Sequence, residues 1–89
     1  MNHKLKKEDI SKRLNKAIGQ LNGIKQMIED DRECPDVLIQ IAAVRSALAT
    51  LGVMITEDHI EHCLTDSFQK GKGVESIESL SNALKQMLK

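Results

Sequence analysis

The chain has no tryptophan, no tyrosine and one phenylalanine in 89 residues. Without aromatic faces on which bases can stack, a platform for single-stranded nucleic acid is not available. Two cysteines, Cys34 and Cys63, allow at most one intrachain bridge, which argues against a disulfide scaffold. No stretch approaches the roughly 18 apolar residues of a membrane span, and the first seven residues, Met1-Asn2-His3-Lys4-Leu5-Lys6-Lys7, are charged and lack an apolar core. The expectation is a soluble cytoplasmic protein with reduced thiols and no membrane partner. No Ser-His-Asp arrangement, phosphate loop or carboxylate pair with a plausible cleft is present, so an enzyme is not expected. A single domain over residues 1–89 is the size-consistent reading, and so small a core calls for support from oligomerisation.

The net charge is zero, which argues against a simple basic nucleic-acid binder, yet the total conceals a segregation. Residues 1–25 hold Lys4, Lys6, Lys7, Lys12, Arg13, Lys16 and Lys25 against Glu8 and Asp9, a net of plus five. Residues 26–66 set nine carboxylates against Arg32 and Arg45, a net of minus seven, and the tail returns plus two. Several copies of the basic first segment, clustered in an oligomer, would present a phosphate-binding face despite the zero sum.

Ile10, Leu14, Ala17, Leu21, Ile24 and Ile28 recur at spacings of three and four and predict a helix from about Lys6 to about Glu29. Cys34-Pro35 opens a second helix, because proline is tolerated in a first turn where its missing N–H costs nothing. Leu38, Ile41, Ala42, Val44, Leu48, Leu51, Met54, Ile55 and Ile60 carry it to Gln69-Lys70-Gly71-Lys72-Gly73, with Gly52 the one weak point inside. Val74, Ile77, Leu80, Leu84 and Leu88 predict a short third helix, with Lys85 and Lys89 near its C-terminal dipole end. The fold expected is therefore all-α: a three-helix protomer with a long central helix. That central helix, of about thirty residues, is about 45 Å long, more than a three-helix monomer of this size needs. Ala42, Ala43, Ser46, Ala47 and Ala49 at its centre permit close approach of a second copy, so an antiparallel dimer is expected.

His59 and Cys63 stand four residues apart on the second helix and share a face, as two ligands of one ion would. Cys34 is about 38 Å away along the same helix, so one chain cannot bring all three together. A two-fold axis near Ala47 and Leu48 would set Cys34 of one chain beside His59 and Cys63 of the other, twice per dimer. Two thiolates and one imidazole form a soft, three-ligand set suited to Cu(I), whereas structural zinc wants a fourth ligand, for which His62 and His3 are candidates. The plainer alternative makes both cysteines small buried hydrophobes and His59 a surface residue.

The run Arg32-Glu33-Cys34-Pro35-Asp36-Val37-Leu38-Ile39-Gln40-Ile41-Ala42-Ala43-Val44-Arg45, with Glu57-Asp58-His59-Ile60-Glu61-His62-Cys63 and Gly19-Gln20-Leu21-Asn22-Gly23, resembles the copper-sensing repressor family. The resemblance implies a dimer of three-helix protomers that pairs into a flat, disc-shaped tetramer. It also implies operator double-stranded DNA bound without a helix-turn-helix, and release of that DNA when inducer binds. Cys34, His59 and Cys63 match the family's copper ligands. Where copper sensors often carry a tyrosine before the first cysteine, this chain has Glu33. Where they carry a glutamate on the third helix behind the histidine, Glu75 and Glu78 are the nearby candidates and Ser79 competes for the position. Sister groups supply rival inducers: a persulfide sensor would use Cys34 and Cys63 alone, a nickel sensor would enlist His3 and want a histidine at position 63, and a formaldehyde sensor would need no second thiol. His59 favours copper among these.

Lys12, Arg13 and Lys16 lie roughly opposite the Leu14 and Leu21 stripe and are the candidate phosphate contacts, with Gln20 beside them. Arg45 reads equally well as a partner in a structural ion pair. A metal-storage or chaperone protein would share the thiol site and need no operator.

Overall fold

The structure, a computed structural model, describes the backbone of residues 3–89 and the side chains of all of these except residues 3–5, 63 and 64. Three helices account for it: α1 (His3–Glu29), α2 (Cys34–Gln69) and α3 (Gly73–Met87). The helix α1 begins three residues before the start expected from its apolar stripe. The helix α2 is 36 residues long and ends at Gln69, where the sequence places its break, so the figure of about thirty residues understates the span between those ends. It is continuous without being uniform. Cys34–Asp58 is α-helical, His59–Leu64 forms a π-helical turn, and Thr65–Gln69 returns to α. Just before the π turn, the Thr56 hydroxyl donates to the Gly52 carbonyl at 2.8 Å, a back-bond that loosens and bends helices.

Both connections are closed by the same backbone device. After α2, Lys72 N–H donates to Ser67 O at 2.7 Å and Gly71 N–H to Phe68 O at 3.1 Å, with Gly71 left-handed at φ 77°. After α1, Arg32 N–H donates to Met27 O at 2.9 Å and Asp31 N–H to Ile28 O at 3.2 Å, with Asp31 left-handed at φ 55°. Each is the six-to-one and five-to-two pairing that satisfies orphan carbonyls at a helix C-terminus. Glycine adopts this conformation freely, whereas at Asp31 a side chain bears its cost. At the start of α2, Glu33 is the N-cap and accepts from Asp36 and Val37 N–H through its carbonyl.

The helix α1 runs antiparallel to α2, and α3 folds back along the C-terminal half of α2, where Met87 packs over Gly52 and the Phe68 ring over Gly73. The glycine expected to be a weak point in α2 is thus a place where α3 approaches closely. The molecule measures 55 × 28 × 14 Å, and its thin dimension is little more than one helix diameter, so the helices lie side by side in a single layer. A layer buries only what faces its neighbours edge to edge. Ala17, Ile24, Val44 and Leu51 are the buried apolar residues among those described. Of the apolar stripe of α1, Leu14, Leu21 and Ile28 remain about half exposed or more, as do Ile41, Leu48 and Ile55 of α2. Each trio is spaced by seven residues, and Leu21, Ile41 and Leu48 line one groove together with Ile24 and Val44. Both stripes therefore look out of the same broad face, in the pattern of a helical seam without its partner.

One expectation needs correction. Although no run of 18 uninterrupted apolar residues exists, α2 contains an 18-residue window apolar enough, by length and composition, to cross a membrane. The small residues and Val44, Leu51 and Ile55 raise that window, and Arg45 is the one charged residue between Asp36 and Glu57. An amphipathic helix awaiting other helices passes the same measure.

Replacing Asp31 by glycine removes the cost of the left-handed conformation and keeps both capping bonds. Asp31→Gly is expected to raise stability by about 0.5–1 kcal/mol, read as a higher urea midpoint with an unchanged slope.

Candidate metal centre and nucleic-acid interface

The proline at position 35 and the Glu33 cap place Cys34 at the first helical position of α2, where its free thiol is exposed. His59 opens the π turn at the other end of the α-helical stretch and is half-buried. It lines a groove of about 650 Å³ between α2 and α3, with Thr56, Glu75, Ser79 and the apolar side chains of Ile55, Leu80 and Leu84. Of the carboxylates expected near His59, Glu75 shares this groove and Glu78 does not line it; Ser79, one turn beyond Glu75, does. His62 is turned elsewhere: its Nε2 lies 3.5 Å from Asp58 Oδ1 and 3.4 Å from Glu61 Oε2, outside the groove that holds His59. The side chains of His3 and Cys63 lie outside the described residues.

Cys34 and His59 remain about 38 Å apart along α2, and among the described residues no three His, Cys, Asp or Glu side chains converge on a metal-sized space. The four-residue spacing of His59 and Cys63 falls within a π turn, where bonds close over five residues and each turn is wider than in an α-helix. Such turns are rare and concentrate at functional sites.

The basic candidates separate into two groups. Arg13 and Lys16 line a polar groove along the α1–α2 seam with Gln20, Asp9, Ser46 and Thr50, whereas Lys12 faces a different hollow beside Lys7, Glu8 and Ser11. The three span about a hundred degrees of helix, with Lys16 between Lys12 and Arg13, so they share one side of α1 while lining two hollows. All three are exposed. Arg13 Nε lies 3.5 Å from Asp9 Oδ2 on its own helix. Arg45, read as an ion-pair partner, instead lines the apolar groove with Leu21, Ile24, Ile41 and Leu48.

Sequence reasoning missed Lys6. Its Nζ lies 2.6 Å from Glu61 Oε2, tying the first turns of α1 to the π turn of α2 across 55 residues of chain. The hydrogen bond to Glu61 raises the Lys6 pKa above its ordinary 10.5 against the opposing effect of desolvation, and the charges of Glu61, Asp58 and Glu57 add to the rise. The charge of α1 also runs against its own dipole: no acidic residue stands in its first turn and no basic one in its last. Helix stability does not account for this arrangement, whereas the carboxylates of Glu57, Asp58 and Glu61 beside Lys6 oppose the basic end.

These features match known proteins throughout. The family model described as metal-sensitive transcriptional repressor matches residues 6–86. The copper-sensing transcriptional repressor CsoR of Bacillus subtilis is 40% identical over 91 residues, covering 100% of this chain and 90% of that protein. The crystal structure of the copper-sensing repressor CsoR with Cu(I) from Geobacillus thermodenitrificans superimposes with a TM-score of 0.84 at 39% identity, covering 92% of this chain and 85% of that one. The nickel-responsive transcriptional regulator InrS superimposes with a TM-score of 0.71 at 35% identity, covering 90% of each chain. The chain belongs to the metal-sensitive transcriptional repressor family. It is accordingly a regulator of transcription and not an enzyme.

A raised lysine pKa means that the Lys6–Glu61 pair is intact at neutral pH and is lost only as pH climbs through that raised value, above 10.5. Nitrogen-detected NMR of the Lys6 ammonium is expected to show this titration, and Glu61→Gln is expected to return it toward the ordinary value.

Proposed function

We propose that this protein is a copper-sensing repressor, in which Cys34 of one subunit and His59 and Cys63 of the partner subunit hold Cu(I), and in which metal binding releases operator DNA. The observation that carries this reading is the placement of Cys34 and His59 at opposite ends of one continuous α-helical stretch whose open face bears the stripe of Ile41, Leu48 and Ile55. Midway between positions 34 and 63 lie Leu48 and Ala49, both exposed. An antiparallel second copy centred there would cover that stripe and bring the two halves of the donor set together in one step. The donor chemistry fits the ion. Two thiolates and an imidazole are soft ligands, Cys34 is free and exposed, and His62, the nearest candidate for a fourth ligand, is turned toward carboxylates. The relatives named for copper sensing support the choice of metal.

Each chain contributes distinct tasks to such a site. Bound Cu(I) would supply a fixed link between two thiolates and an imidazole that otherwise belong to separate subunits. His59 lines the α2–α3 groove together with Glu75 and Ser79, and either of these would orient its ring toward that link. Arg13 and Lys16, with Gln20, offer phosphate contacts along the α1–α2 seam, and Lys12 extends them into the neighbouring hollow. The inducer state that disfavours this surface needs a coupling free energy of about 1–3 kcal/mol or more. Pairing of dimers into a disc-shaped tetramer would gather four basic α1 segments and explain how a chain of zero net charge binds DNA. The protein would act in the cytoplasm, and genes for copper export or copper chaperoning are the fitting targets.

The similarity to a nickel-responsive regulator keeps a second metal in view, and the paired thiols keep a polysulfide inducer in view. One experiment separates them. Anaerobic protein bound to a duplex carrying the promoter of its own gene is titrated with Cu(I), Ni(II) and polysulfide, for wild type and His59→Ala. Release by Cu(I) that His59→Ala abolishes is the expected result. Release by Ni(II) alone, or by polysulfide alone with no dependence on His59, overturns it.

A further inference from the structure

Lys6, Arg13 and Gln20 stand seven residues apart on α1, so they follow one line along the helix with only a slight drift. Arg13 and Gln20 on that line border the polar groove against Ser46 and Thr50 of α2. Lys6 is the next member of the line, at the point where α1 meets the π turn, and its ammonium is bonded to Glu61 at 2.6 Å. Glu57 and Asp58 deepen the negative potential at that ammonium. Arg13 in turn has Asp9 at 3.5 Å. Both cations on the line that could meet a phosphate are therefore engaged by carboxylates of the chain itself.

We propose that Glu61 is an intramolecular competitor for operator phosphate, so that binding DNA exchanges the Lys6–Glu61 pair for a contact between Lys6 and the DNA backbone. This rests on the reading of the α1–α2 seam as the DNA-facing surface. The exchange is feasible because the pair is open to solvent, with side-chain exposures of 31% for Lys6 and 51% for Glu61. Pairs so exposed are weak, whereas DNA presents a dense row of phosphates. Glu61 also has a position that no other carboxylate in this cluster shares. It lies two residues after His59 and two before Cys63 on the same π turn, so any change in that turn alters how firmly Lys6 is held. The competitor is thereby carried by the segment that holds two of the proposed metal ligands.

The test measures binding of copper-free, full-length protein to the promoter duplex across a salt series, for wild type, Glu61→Gln, Lys6→Gln and the double variant. Glu61→Gln is expected to tighten binding about three- to tenfold at low salt, since an engaged cation is set free for a phosphate. Lys6→Gln is expected to make the slope of log K against log salt shallower by about 0.9, the loss of one phosphate contact. In the double variant the gain from Glu61→Gln should vanish. A gain that persists without Lys6 makes Glu61 a source of general repulsion and overturns the proposal, as does a Glu61→Gln protein that binds no tighter than wild type. If Glu61→Gln fails to fold, Glu61→Ala takes its place in the series, and an unchanged slope for Lys6→Gln overturns the proposal by itself. Wild type that binds no duplex overturns the DNA-facing surface as well, whereas salt-dependent wild-type binding with no effect of either variant overturns this proposal alone.

Discussion

A helix of 36 residues is about 54 Å long and does not fold back on itself, so the groups at its two ends stay apart for as long as they belong to one chain. This constraint shapes the rest of the molecule. It makes the protomer a flat layer, because α1 and α3 can only lie alongside so long a helix. A layer one helix thick buries little, and Ala17, Ile24, Val44 and Leu51 are a meagre core. The same geometry leaves Leu14, Leu21 and Ile28 on α1 and Ile41, Leu48 and Ile55 on α2 facing outward in register. Under the proposed reading, a second copy meets both needs at once: it covers the apolar face and delivers the missing half of the soft donor set. Stability and metal affinity would then come from one and the same surface, and the sensor could not bind metal without being assembled.

The charge distribution follows a similar logic. Basic residues at the start of α1 and acidic ones past its end oppose the helix dipole and cost the helix stability. Because α1 is antiparallel to α2, that basic end is laid against Glu57, Asp58 and Glu61. The segregation visible along the chain is thus a contact in space. It links the surface proposed for DNA to the π turn that carries His59, and it does so through side chains exposed enough to exchange partners.

Much of this was legible in the residues. Apolar spacings of three and four located three helices to within a few positions, and Pro35 and Gly71 marked the ends of α2 because each has a backbone preference that acts locally. The separation of Cys34 from His59 followed from helix rise alone. Periodicity states that a face is apolar, however, and not what covers it, so nothing in the stripe told the buried Ala17 and Ile24 from the exposed Leu14, Leu21 and Ile28. The π turn at His59–Leu64 left no local signature. It follows Gly52, overlain by Met87 from α3, and contains Glu61, bound by Lys6 from α1, and those contacts belong to the whole fold. Asp31 in a left-handed conformation was equally invisible, since aspartate ordinarily fits a turn in several ways.

The central claim is that the metal site is shared between subunits, and subunit mixing tests it most directly. Cys34→Ala retains His59 and Cys63, whereas a His59→Ala/Cys63→Ala chain retains Cys34. The two chains, differently tagged, are refolded together and the mixed species isolated, and its Cu(I) affinity is measured by competition with a chromophoric chelator. The account predicts that each parent binds Cu(I) weakly and that the mixed species regains high affinity at one of its two sites. A mixed species as weak as its parents would contradict a site built across the subunit boundary.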